Sequence, residues 1–511
     1  MPDTHVSKVI LTHRGAARTK YGAAGWTKIR SAVTRLVAAD KARGIATRFV
    51  AVDSAATVRP LGVAKVDAPS DVAAIKAVVD AAVAKWQPAY VVLLGGPELL
   101  ATVNLTNPLW TGDPADDPDQ FVPSDLPYAC DGALSFSPGD YRGPTRVVGR
   151  IADLVGDPDP AVLVGQLDAA AKGTSLHRAA PQPLFALSAK VWQRSTRLTV
   201  DGLAGVSGTV LTSPPSGPAW TAADLAPAVH LVNCHGSEFD PNWYGQLSPN
   251  NWNLPVAVAA AGLPGLVAPG TVVAAECCYG TSHWPPSAAH GQAGVALTYL
   301  RNGAVGVFGS STVAYGPAAS NDYADVICRL FLAEVLSGAS LGRAVLAARQ
   351  GFVQGQAFLD PTDLKTLAQF SLLGDPSVVP FVVGGAAAPK SRRMVAAPAL
   401  TAEVNHRRAQ FAAVGTTLAT ASLACTDRPR ARSGLTPGAL ATLVGRDVPG
   451  AVTVRTFDTI GGVEPAAFAR SPARPRAHVA FLPGAGRRPR SLVVVREPGG
   501  GAPEVREVVP R

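Results

Sequence analysis

The stretches HLVNCHGSEF (residues 230–239) and TVVAAECCYGTSHW (residues 271–284) decide how this chain is read. Each opens on a short apolar, β-branched run, the pattern of a buried strand. Each ends in side chains capable of chemistry. The spacing places His235 and Gly236 directly after a strand at 229–233, and Cys277 and Cys278 directly after one at 272–275. In open α/β sheets ligands bind beyond the carboxyl ends of the strands, so a His and a Cys on two such ends are expected to face one cleft. A cysteine is already a strong nucleophile near neutral pH, and a histidine can take its proton and return it to a leaving amine. Gly236 keeps side-chain bulk away. Its N–H, with that of the nucleophile, is expected to hold an oxyanion, and losing one such donor typically costs about 100–1000-fold in rate.

The rest of the chain alternates apolar runs with helical patterns, as an α/β protein does. Strands are expected at 9–12, 48–52, 90–94, 147–149, 184–188, 229–233, 272–275 and 304–309, and 378–383 closes the body. Helices are expected at 26–40, 70–86 (capped by Ser70 or Asp71), 160–172, 222–226, 293–301, 322–336 and 340–350. Beyond a linker GGAAAPKS (384–391), strands are expected near 452–457, 479–482 and 492–496, the last turning into VREVV as a terminal hairpin. The expected divisions are 1–177, 178–384 and 385–511.

Composition narrows the function classes. Of 511 residues, 47% are hydrophobic and 16% charged, which excludes a disordered chain. Six cysteines in this length are not a disulfide scaffold. The formal charge of +9 is unevenly placed. Residues 386–511 hold one Lys and eighteen Arg against eight acidic residues, leaving the body near neutral. A basic region of this kind can contact an anionic partner, although its arginines are not interleaved with aromatic residues for base stacking. The start, MPDTHVSKVILTHRG, has no signal-peptide pattern. The longest uncharged stretch, between Asp240 and Glu276, is broken by Pro and Gly, so no membrane span is expected. A cytoplasmic protein with reduced thiols is the expectation.

These motifs, in this order, resemble the gingipain family of cysteine peptidases, part of the caspase-like group. Members carry His-Gly after one strand and Cys-x-x-Gly after the next; here the matching residues are His235–Gly236 and Cys277–Gly280. YVVLLGG (90–96), PSDLPYACDG (123–132), VVGRI (147–151), GAVGVFGSS (303–311) and SLLGDPSV (371–378) are similar to further family stretches. The resemblance implies a caspase/gingipain-like three-layer α/β sandwich of two α/β subdomains, with the chemistry in the second, plus a small basic β-rich C-terminal region. It implies a cysteine endopeptidase acting on protein or peptide substrates through a Cys277–His235 dyad, with Gly236 and Cys277 as oxyanion donors. Cys278 is the alternative nucleophile; otherwise it points into the core. Glu238, Trp243, Glu276 and Trp284 are expected to line the substrate cleft.

The chain also departs from the pattern. Where arginine-specific gingipains carry an acid supporting the histidine, this chain falls near Lys190, and Gln193, Arg194, Ser195 and Arg197 follow before Asp201. That leaves open a third catalytic member and cleavage after arginine, and it motivates a second reading, an inactive scaffold that binds peptides or protein partners. Activation by cleavage near Lys390, Arg392 and Arg393 is a related expectation. Gly338–Gly342 matches GxSxG, but the segment before Ser340 reads as a helix rather than a strand, so Ser340 is read as a helix cap. Cys277, Cys278, His283 and His290 lack zinc spacing, and no metal or cofactor is expected there. The acidic loop Asp113, Asp116, Asp117 and Asp119 lacks EF-hand spacing; calcium is kept as its candidate ligand because family members often bind it.

Overall fold

Buried runs of four or five apolar residues, separated by segments long enough to cross back over them, build one large sheet. The computed structural model describes residues 6–173, 176–177, 182–382, 397–461, 474–484, 490–499 and 501–511. The linker and its Lys390, Arg392 and Arg393 lie outside the described residues. The first half supplies β1 (Lys8–Thr12), β2 (Thr47–Ala51), β3 (Tyr90–Leu94) and β4 (Val148–Ile151). The second supplies β5 (Gln182–Ala189), β6 (Val210–Ser213), β7 (Val229–Asn233), β8 (Val272–Ala275), β9 (Gly306–Ser310), a two-residue β10 (Tyr315–Gly316) and β11 (Phe370–Gly374). The order across the large sheet is β6-β5-β7-β8-β9-β11-β4-β3-β1-β2. Along this path the neighbours run parallel, except β9 against β11. The expected mixed α/β architecture is the one observed.

Helices α1 (Arg14–Ala42), α2 (Val72–Trp86), α3 (Ala161–Lys172), α4 (Gln193–Asp201), α5 (Val295–Arg301), α6 (Tyr323–Leu336), α7 (Leu341–Gln354) and α8 (Pro361–Gln369) connect these strands. Successive side chains of a strand point to opposite faces, and here they divide into layers accordingly. Ile10, Val92, Leu231, Ala274 and Phe308 pack with α1, α6 and α7. On the opposite face Val9, Leu11 and Val91 pack with α2 and α8, while Val232, Val273, Ala275 and Val307 pack with α5. Helices therefore cover both faces, giving three layers.

Three local expectations change. Residues 222–226 form turns, not a helix. Asp224 accepts from both the N–H and the hydroxyl of Thr221, and the segment is too short, between Pro218 and Pro227, to propagate a helix. Helix α1 starts at Arg14, well before Trp26, with His13 as its cap and a break at Gly22, where φ is 67°. Ahead of the closing motif stand α8 and the antiparallel strand β11, which the sequence pattern does not announce. Ser340 does sit at the N-terminus of α7, after helix α6, as read.

Beyond the linker follow α9 (Ala397–Ala421), β12 (Leu423–Cys425), α10 (Pro437–Val444), β13 (Val454–Gly461), β14 (Arg476–Leu482), β15 (Ser491–Glu497) and β16 (Glu504–Pro510). The five strands pair antiparallel in chain order, and the outer strand β16 continues onto β10 of the body. Phe457, Val479 and Val494 share one apolar layer with Tyr315, Phe358 and Leu359 of the body. Four of the tail's arginines meet body carboxylates: Arg490 meets Asp113 and Asp116, Arg496 meets Asp360 and Asp363, Arg506 meets Asp322, and Arg511 meets Asp325. No helix among the described residues is long and apolar enough to cross a membrane.

Candidate active site

Strands β7 and β8 pair in parallel. Val229 pairs with Val272 and Val232 with Ala275. The pairing ends there, and His235 and Cys278 each stand three residues beyond the last paired residues. The surroundings of the two cysteines differ. Cys277 lies fully buried in the α5 layer with Cys234, its thiol aimed at Val232 O, 3.6 Å away. Burial pushes that thiol well above its ordinary pKa. The Cys278 sulfur lies between the main-chain groups of Ala314, 3.3 Å from its N–H and 3.6 Å from its carbonyl oxygen. Burial pushes this thiol up to about 12.

His235 is held on three sides. Its main chain exchanges two hydrogen bonds with Tyr244, at 2.9 and 2.8 Å. Its ring packs against Trp192, with centroids 4.4 Å apart, and against Trp252, at 5.8 Å. Its Nε2 lies 2.8 Å from Gln246 Oε1. The Gln246 amide nitrogen already donates to Ser248 O and Asn251 O, so its oxygen is the end that faces the ring. The histidine therefore donates from Nε2 and keeps Nδ1 as its basic nitrogen. Burial pushes His235 down to about 4, with the Arg511 cation acting in the same direction. It is neutral at pH 7, as a base must be.

Two main-chain donors converge beside this pair. The N–H groups of Gly236 and Cys278 both point at the carbonyl oxygen of Arg511, at 3.3 and 3.1 Å. This oxygen occupies the place of an oxyanion. Gly236 is required here, because a Cβ would run into the Cys278 carbonyl oxygen. The second N–H at this oxygen is that of Cys278, where the sequence reading expected Cys277.

Arg511 itself is completely buried. Its N–H donates to Ala314 O at 2.9 Å, and β16 runs antiparallel to β10, pairing Pro510 with Tyr315 and Val509 with Gly316. Its guanidinium lies 4.6 Å above the Trp192 ring. It donates to both Asp325 oxygens at 3.0 Å, to Pro317 O at 2.9 Å, to Ser195 Oγ at 3.2 Å and to Asn233 Oδ1 at 3.1 Å. Gly316 lets it pass, since a Cβ there would strike the guanidinium. Burial raises the Asp325 carboxyl and the guanidinium opposes this.

The remaining candidates fall in different places. Glu276 is fully buried beside Asp325 and receives no donor on either carboxylate oxygen. Burial, then the Asp325 charge, push it well above the usual range against the pull of Arg511. Glu238 is exposed. Trp243 does not line the cleft: it is buried and stacks on Tyr299 at 6.4 Å, because its strand alternation turns it towards the α5 layer. Trp284 is buried, 6.5 Å from the Phe239 ring. Lys190 is exposed, and the turn it begins delivers Trp192 to the histidine instead of an acid. Among the described residues no group of three or more His, Cys, Asp or Glu is arranged to hold a metal ion. In the acidic loop, Asp113 and Asp116 pair with Arg490, and Asp117 and Asp119 with Lys365.

The motif positions missed Gln246, Trp192, Ser195, Asn233, Asp325 and Arg511. Asp325 stands at the start of α6, as the third residue of a capping box with Asp322.

Fold and site together define a mixed α/β protein with a Cys and a His on adjacent strand ends. The sequence model of peptidase family C25 matches residues 266–381. That segment holds both cysteines, and the match bears out the resemblance to the gingipain family. No curated protein sequence matches the chain. Among solved structures, one described as a protease is similar at 13% identity and a TM-score of 0.45, over 100% of this chain and 98% of that one. The complex of pro- and mature domains of Porphyromonas gingivalis RgpB is similar at 10% identity and a TM-score of 0.45, covering 98% and 99%. A separase–securin complex of Saccharomyces cerevisiae is similar at 12% identity and a TM-score of 0.30, over 49% of this chain and 14% of that one.

Proposed function

We propose that this protein is a cysteine endopeptidase whose nucleophile is Cys278 and whose acid–base is His235. The observation that carries the reading is the convergence of the Gly236 and Cys278 N–H groups on the Arg511 main-chain oxygen, with His235 directly before Gly236 and held by Gln246 and Trp192. The substrate lies as an extended strand against residues 314–316, as residues 509–511 do. Main-chain pairing of this kind supplies affinity, and side-chain pockets supply selectivity.

The Cys278 thiol gives its proton to His235 Nδ1 and the sulfur attacks the scissile carbonyl carbon. The new S–C bond moves the carbonyl electron pair onto oxygen, where the two N–H groups hold it. As the intermediate collapses, the C–N bond breaks and the amine takes the proton from His235. Water, losing a proton to the same histidine, then attacks the thioester, releasing the carboxylic acid and restoring the thiol. Gln246 is a positioning residue that holds the ring in the Nε2–H tautomer.

The test is hydrolysis of a mixed peptide pool, followed by mass spectrometry, for parent, Cys278→Ala and Cys277→Ala. Internal bonds cleaved by parent and Cys277→Ala but not by Cys278→Ala support the reading. Cleavage that survives Cys278→Ala and vanishes in Cys277→Ala overturns the assignment, and a parent that cleaves nothing even without its last residues favours the scaffold.

A further inference from the structure

The cleft just described is already filled, and by the chain itself. We propose that the last strand is a tethered, product-like inhibitor: the Arg511 side chain fills the selectivity pocket, its carbonyl fills the oxyanion hole, and other peptides are excluded until residues 509–511 withdraw. This inference rests on the peptidase reading of the site.

Every contact a bound peptide would need is present at once. The strand pairs with β10 in antiparallel register. The Arg511 N–H reaches Ala314 O, and its carbonyl oxygen takes both oxyanion donors. Its guanidinium stacks on Trp192 and takes both oxygens of Asp325. One guanidinium nitrogen, Nη2, faces both Asp325 oxygens, and the other, Nη1, donates to Asn233 Oδ1, so the cation is matched by a buried carboxylate and an amide oxygen.

The rest of the tail explains why the occupant stays. The sheet carrying β16 is anchored to the body by Arg496 on Asp360 and Asp363 and by the shared apolar layer. A short tether gives an effective concentration of about the millimolar range, so a free peptide binding more weakly than that does not enter. Val509 and Pro510, which lead into the buried Arg511, are only half-buried.

The experiment measures binding of fluorescein-labelled Val-Val-Pro-Arg by anisotropy, in Cys278→Ala protein so that nothing is consumed. Adding Arg511→Ala is expected to tighten binding at least tenfold, and further adding Asp325→Asn to abolish the gain. Equal affinity with and without Arg511, or no binding to either protein, overturns the proposal. Arg511→Gln, close in shape but uncharged, is the second variant; it is expected to give the same direction of change, with a lowered thermal midpoint because Asp325 loses its buried cation, and binding is read well below that midpoint. In a protein with Cys278 intact, Arg511→Ala is expected to raise peptide hydrolysis at least tenfold. If binding tightens and no variant cleaves, self-occupation stands and the peptidase reading falls.

Discussion

Cys277 and Cys278 have the same side chain and different surroundings: Cys277 packs in the α5 layer, and the Cys278 N–H meets the Arg511 oxygen. Cys277→Ala trims a buried thiol from the α5 layer; it is expected to cost ~1 kcal/mol of stability, by analogy with other small core truncations, and to leave peptide cleavage within about twofold of the parent enzyme freed of Arg511. Cys278→Ala in the same background is expected to lose at least ~1000-fold, since removing a nucleophile removes the function of the whole unit. Gly236→Ala pushes a Cβ into the Cys278 carbonyl and is expected to lose ~100-fold or more in kcat, with KM less affected. His235 has a checkable titration. Its folded value of about 4 lies below the unfolded value of about 6.5. The folded state thus holds fewer protons between those limits, so its contribution to stability is complete above about pH 6.5 and is lost as the pH falls towards 4. Removing the neighbouring cation in Arg511→Ala is expected to move the His235 midpoint upward, as read by NMR.

Among the elements, β7 and β8 carry the chemistry while β10, α6 and β16 shape the cleft. Asp325 reaches the pocket because the capping box fixes the first turn of α6. Replacing it by Ala leaves the Arg511 guanidinium buried without its carboxylate, a change that typically costs about 3–5 kcal/mol; denaturant titration reads it. The strand ends were legible in the sequence because buried parallel strands are continuous apolar runs, and a His-Gly and a Cys-Cys-x-Gly stand directly behind two of them. Motif spacing points to Cys277 as the nucleophile, while the proposal for Cys278 rests on a main-chain contact beyond the strand ends, which spacing does not encode. Gln246 and Asp325 were hidden for a related reason. Each reaches the site through a turn or a helix start, and nothing local in the sequence marks a turn residue as a partner for a histidine or an arginine distant in the chain.

At the scale of the molecule, the excess positive charge of the tail has an address. Arg490, Arg496, Arg506 and Arg511 all find carboxylates on the body, so the anionic partner of the tail is, at these four positions, the rest of the chain. Arg496→Ala leaves Asp360 and Asp363 buried without their cation and is expected to lower the unfolding free energy by about 3–5 kcal/mol. A chain ending at residue 382 would uncover the apolar layer formed by Phe358, Leu359 and Tyr315 against Phe457 and Val494. It is expected to aggregate on size exclusion, whereas loss of residues 509–511 alone is expected to leave a monodisperse protein with an open cleft.

The central claim is that Cys278, served by His235, is the nucleophile at the cleft that Arg511 occupies. Its most direct test is to treat Arg511→Ala protein with a Val-Val-Pro-Arg chloromethyl ketone and to map the adduct by tandem mass spectrometry. Alkylation of Cys278 that disappears in His235→Ala is the predicted result; alkylation of Cys277, or labelling indifferent to His235, would contradict it.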